Sequence, residues 1–117
     1  MNTPNRPVNS HQAYHAHVYY DEDSLALATS ILEQIPKKFG LKLGRIFQKL
    51  VGPHPSWSCQ IIFKTNDFDA LVPWLDDNRS GLSIFIHALT GNDWEDHTRY
   101  AYWLGDRVEL DLSFFTN

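Results

Sequence analysis

Twice in this chain a short run of β-forming residues leads directly into a segment with one apolar helical face. The first run, Tyr14-His15-Ala16-His17-Val18-Tyr19-Tyr20, precedes Leu25, Ala28, Leu32 and Ile35, spaced three and four apart. The second, the mostly apolar residues 57–63, precedes Phe68, Leu71, Val72 and Leu75. A helix with a single apolar stripe must lie on another layer, and the adjoining strands supply one.

The punctuation between these units completes the plan. Asp21, Glu22, Asp23 and Ser24 offer capping oxygens and negative charge to the first helix, which Pro36 should stop or bend. Gly40 and Gly44 bracket a turn into a second strand over 43–51, and Gly52-Pro53-His54-Pro55 breaks it. Asn66 or Asp67 caps the second helix, in which Pro73 sits badly. A turn at Asn78-Arg79-Ser80-Gly81 leads to a fourth strand over 82–88. Asp93 opens a short helix over 94–104 that Gly105 ends, and 108–112 alternates like a half-exposed edge strand.

Residues 1–12 read as a flexible tail, and 13–117 as one domain. The order β-α-β-β-α-β, followed by a short C-terminal helix and strand, is the ferredoxin-like, split βαβ plan. It predicts an α+β domain whose antiparallel sheet carries both helices on one face. The other face is bare unless a partner subunit or the C-terminal segment covers it, so a homodimer is expected.

Composition narrows the function. A net charge of −4 without a basic stripe argues against nucleic acid as a partner. No stretch approaches the roughly 18 apolar residues of a membrane span, and the first ten residues lack a signal-peptide core. A cytoplasmic location is the default expectation. The single cysteine, Cys59, allows neither an internal disulfide nor a cysteine-built metal site, and its apolar surroundings suggest an inert thiol.

Six histidines and 14% aromatics tilt the balance toward a small-molecule site built on imidazole. His11 falls in the tail and reads as a bystander. Alternation puts His15, His17 and Tyr19 on one face of the first strand, with Ala16 and Val18 toward the helices. On the fourth strand Ile84 and Ile86 want the helices, which puts Phe85 and His87 on the same open face. With strands one and three running one way and two and four the other, His54 and His97 are expected at the same edge. Taken singly, each histidine is as readily a hydrogen-bonded structural residue; five converging on one end of a sheet suggest a shared site. Such a cluster suits zinc, copper or iron better than magnesium or calcium, and Glu95 or Asp96 is the nearest carboxylate to complete it.

The segments at 14–21, Gly52-Pro53-His54-Pro55, His87-Ala88-Leu89-Thr90-Gly91-Asn92, Asp96-His97-Thr98 and Trp103-Leu104-Gly105 together resemble the DOPA 4,5-dioxygenase family. The resemblance spans about 13–105, with Ala88 where the family usually has proline. It implies an extradiol ring-cleaving dioxygenase that uses non-haem Fe(II), with zinc as a substitute in the isolated protein. Its substrates would be a catechol and O2, and its product a muconic semialdehyde. A DOPA-like substrate would need a cation for its carboxylate, and Arg45, Arg79, Arg99 and Arg107 are all available. Depth along the first strand assigns His17, His54 and His87 to the metal and leaves His15 and His97 as acid–base groups. The competing expectations are a dimeric module that binds an aromatic ligand or zinc without turnover, and a cofactor-free monooxygenase on the same scaffold.

Overall fold

The computed structural model describes residues 8–115. The elements in chain order are β1 (Ala13–Tyr20), α1 (Leu25–Phe39), β2 (Trp57–Lys64), α2 (Thr65–Asn78), β3 (Ile84–Ala88), α3 (Asp93–His97) and β4 (Ala101–Leu104). A 3-10 turn follows at Leu112–Phe115. The sheet order is β2-β1-β3-β4 with every pairing antiparallel, and the fold is ferredoxin-like.

Three elements differ from the sequence expectation. The strand expected over 43–51 reduces to one bridge, Leu43 to Ile61. Gly44 N–H donates to the Gln60 carbonyl at 2.7 Å and Phe47 N–H to that of Ser58 at 3.1 Å, so the segment still tracks the outer edge of β2. A Cβ on Gly44 would meet that same carbonyl oxygen at 3.2 Å, so glycine permits the close approach. The helix expected over 94–104 stops at His97, and its second half becomes β4. Tyr100 through Leu104 is a short apolar run that suits helix or strand; pairing with β3 satisfies its backbone and decides the matter. The expected strand over 108–112 joins no ladder. Its alternation is real, because Val108 and Leu110 pack on the cluster of Tyr19, Phe85 and Ala101, but it crosses the sheet face as a strap. The Asp111 N–H anchors it to the Pro53 carbonyl at 2.9 Å.

The main core lies between the sheet and the first two helices, where Ala16, Val18, Ile61, Ile84 and Ile86 meet Ala28, Leu32, Ile35, Leu71 and Leu75. Pro36 does not stop α1, which runs three residues further to Phe39. Pro73 likewise lies inside α2, whose Phe68, Leu71, Val72 and Leu75 are buried as the periodicity predicts. Part of the expected tail falls outside the described residues, as do 116 and 117. Its later residues are tied down: Ser10 and His11 N–H groups donate to the Tyr14 hydroxyl, and the Asn9 amide donates to the Thr65 carbonyl.

Candidate metal centre

The pleat of β1 delivers the first two imidazoles. Tyr14, Ala16, Val18 and Tyr20 enter the helix-side core, which forces His15, His17 and Tyr19 onto the opposite face. On β3 the same logic sends Ile84 and Ile86 inward and Phe85 and His87 outward. The register pairs His15 with His87 and His17 with Phe85.

His54 reaches this face by a different route from the one its position suggests. Because β2 runs antiparallel to β1, with Trp57 opposite Tyr20, its start lies at the far end from His15. The preceding loop folds back across the sheet and sets the His54 ring 4.1 Å from that of His17. His97, at the end of α3, lies 4.1 Å from the His87 ring on the other side. Phe85 touches the rings of His17, His54, His87 and His97 and forms the floor beneath them. All five histidines singled out from the sequence therefore gather on one face. His11 stands apart, its ring against Tyr100.

His17, His54 and His87 are buried, and His15 and His97 are partly exposed. Burial holds His17 well below the usual imidazole range, with His54 and then His87 adding to the effect. Burial also brings His87 down to about 3 and His54 to about 4, in both cases reinforced by His97. His15 is lowered by burial and by His97, against an opposing pull from Asp96. The buried rings are thus neutral near pH 7, the form that offers a lone pair.

Backbone contacts decide which nitrogen carries the proton in the neutral form of two of the five rings. His87 Nδ1 is 2.9 Å from the Ala88 carbonyl and His97 Nδ1 is 2.7 Å from that of Asp93. A carbonyl only accepts, so in each ring Nδ1 carries the proton and the neutral form leaves Nε2 bare. His87 Nε2 lies 3.1 Å from His17 Nε2. Donor atoms of His15, His17 and His87 all fall within 4.8 Å of one another, close enough to hold one metal ion. Two nitrogens each about 2.0–2.1 Å from an ion would be about 3.0–3.4 Å apart, which the His17–His87 spacing matches. The donor set and the fixed His87 tautomer fit a metal.

Neither carboxylate suggested by the sequence is in that group. Asp96 is buried and commits both oxygens to Thr90, one to its N–H at 2.9 Å and one to its hydroxyl at 2.6 Å. It clamps the connection between β3 and α3, and so holds His97 beside His87. Sequence reasoning missed this clamp and also missed Tyr19, whose hydroxyl lies 2.8 Å from His54 Nδ1. The sign for Tyr19 was its shared face with His15 and His17; its partner arrives only through the loop.

Beside His97 opens a chamber of about 830 Å³ between β4 and the C-terminal strap, lined by Trp103, Arg107, Glu109 and Leu110 among others. The other arginines among the described residues are engaged elsewhere. Arg79 pairs with Asp76 at 2.9 Å, and Arg45 and Arg99 lie over the rings of Phe47 and Tyr100.

These features define a class: a small ferredoxin-like domain with an imidazole centre on the open face of its sheet. Residues 14–114 match the Dopa 4,5-dioxygenase family, and the chain belongs to that family. A crystal structure from Nostoc punctiforme, provisionally described as a dioxygenase, superposes with a TM-score of 0.85 at 43% identity. The match covers 88% of this chain and 90% of that one. A protein of unassigned function from Botryotinia fuckeliana is 31% identical, in a match that covers 86% of this chain and 62% of that protein. A DOPA 4,5-dioxygenase from Amanita muscaria is 28% identical, in a match that covers 86% of this chain and 48% of that protein. The chain therefore spans about half to three-fifths of the length of these curated relatives. Among the described residues, no helix is long and apolar enough to cross a membrane.

Proposed function

We propose that this chain is an extradiol ring-cleaving dioxygenase, which inserts both atoms of O2 into a catechol and opens the ring to a muconic semialdehyde. The observation that carries this is the convergence of His15, His17 and His87, with His97 standing between the His87 ring and the chamber, in a member of this family. Those three residues are the proposed metal ligands, so His15 takes the place that sequence reasoning gave to His54. The proposed ion is Fe(II), with zinc as a substitute; imidazole donors suit both. When bound, it would anchor the two catechol oxygens and give O2 access to the electrons of the ring.

The rest belongs to the chain's own side chains. His97, with Nδ1–H committed to Asp93, has Nε2 free to take a proton from a catechol hydroxyl and return it later. Phe85 lies against the buried imidazoles, and Trp103 with the strap residues Val108 and Leu110 packs on the apolar cluster that includes it, which keeps water from that side. Arg107, lining the chamber, is the proposed anchor for an acidic substituent on the substrate. We place this activity in the cytoplasm and in a homodimer. The exposed Leu50, Ile62 and Phe114 supply apolar surface for an interface, and light scattering at micromolar concentration tests it.

Anaerobic loading with Fe(II), followed by O2 uptake with a panel of catechols, tests the reaction. One O2 consumed per catechol, with a ring-opened product, is the expected result. Uptake equal to the iron blank across the panel overturns it and leaves the metal- or aromatic-binding module. Undiminished turnover after chelation points instead to the cofactor-free monooxygenase.

A further inference from the structure

We infer that His54 serves this site as a hydrogen-bond donor through Nε2–H, and that Tyr19 is the positioning residue that fixes this tautomer. The Tyr19 side chain is buried, and its hydroxyl has one hydrogen-bond partner among the described residues, His54 Nδ1 at 2.8 Å. If His54 donated across that contact, the phenol hydrogen would be left in the interior without an acceptor. If the phenol donates, only an oxygen lone pair goes unused, which costs far less. The phenol therefore donates, Nδ1 of His54 carries the lone pair, and the single proton of the neutral ring sits on Nε2.

His87 and His97 are the reverse. Each meets a backbone carbonyl at Nδ1, which puts the proton there and leaves Nε2 bare. One cluster thus holds imidazoles of opposite tautomer, sorted by what touches Nδ1. The bare Nε2 atoms suit lone-pair duties. His54 Nε2–H has no protein acceptor among the described residues, yet no side-chain nitrogen there is both sealed from solvent and unpartnered. That N–H is open to an incoming acceptor, and its ring lies against His17. The acceptor class it fits is an anionic oxygen, such as that of a phenolate bound at the centre. Only the identity of that oxygen rests on the ring-cleavage reading; the tautomer does not.

Long-range proton–nitrogen NMR correlations on the metal-free, nitrogen-15-labelled protein read each tautomer directly. The expected result is Nε2–H for His54 and Nδ1–H for His87 and His97. Tyr19→Phe keeps the ring that packs the core and removes the donor, so the Nε2–H to Nδ1–H ratio of His54 should fall by roughly 3–10-fold. His87 should be unchanged. A His54→Gln variant retains an N–H donor and should keep its full metal content by elemental analysis, whereas a ligand would not be replaceable. An Nδ1–H tautomer for His54 in the wild-type protein, an unmoved ratio in Tyr19→Phe, or metal loss in His54→Gln overturns the assignment. Absence of catechol turnover in the wild-type protein would strike the proposed reaction and leave these readouts intact.

Discussion

Nε2 of His17 and Nε2 of His87 lie 3.1 Å apart although 70 residues separate them in the chain. The contact is diagonal across two neighbouring strands, since the residue directly opposite His87 is His15. Three imidazoles therefore meet through strand register alone, with no loop needed to bring them together. The spacing is one that two ligands of a single ion could adopt, and without an ion the two nitrogens share a proton instead.

Substituting the proposed ligands should separate them from the acid–base residue. His15→Ala, His17→Ala and His87→Ala should each lose most bound iron, measured by elemental analysis after gel filtration. His97→Ala should retain iron and lose turnover by about 10²–10⁴-fold. Full metal retention in His87→Ala would remove the centre from this face.

Acid should destabilise the metal-free protein well above the carboxylate range. His54 and His87 titrate from 6.5 in the unfolded chain to about 4 and about 3 in the folded one, chiefly through burial. Between those values the unfolded chain binds more protons, so stability rises with pH. Stabilisation is complete above about 6.5 and drains away as pH falls through the folded values. Thermal melts in chelator should show Tm dropping from pH 7 to pH 5; a flat profile would contradict neutral, buried rings.

Breaking the Asp96–Thr90 clamp should cost stability and loosen His97. Thr90→Val deletes the bond from the hydroxyl to a buried carboxylate, a loss of about 1.5–3 kcal/mol in urea unfolding. Turnover should fall further than metal content, because His87 is held by β3 and His97 by the clamped connection.

Gly105 forms the turn between β4 and the strap, and its backbone favours glycine. Its φ is +78°, and an added Cβ would lie 2.5 Å from Arg79 Nη1 and 3.0 Å from the Leu82 carbonyl oxygen. Gly105→Ala should destabilise by about 1–3 kcal/mol through backbone strain. It should also lift the strap, read as increased fluorescence quenching of Trp103 by acrylamide. An unchanged melt and unchanged quenching would show that the strap is not held from this turn.

Period-two and period-3.6 patterns determined a good deal on their own. Alternation in β1 and β3 fixed which face His15, His17, Tyr19, Phe85 and His87 occupy, because a strand offers only two faces and the aliphatic set claims one. Spacing in α1 and α2 likewise fixed their buried stripes, and with them the ferredoxin-like layering. Where a segment has no such pattern, or fits two, only tertiary contacts decided. Residues 101–104 became β4 because β3 had an unpaired edge, and 108–112 became a strap because its apolar side chains had a sheet face to cover. The direction of β2 and the return of the His54 loop were set by chain connectivity, which single-strand periodicity does not encode. So too were the contacts at Nδ1 of His54, His87 and His97: a hydroxyl or a carbonyl meets each ring as the fold delivers it, and the tautomer follows from which it is.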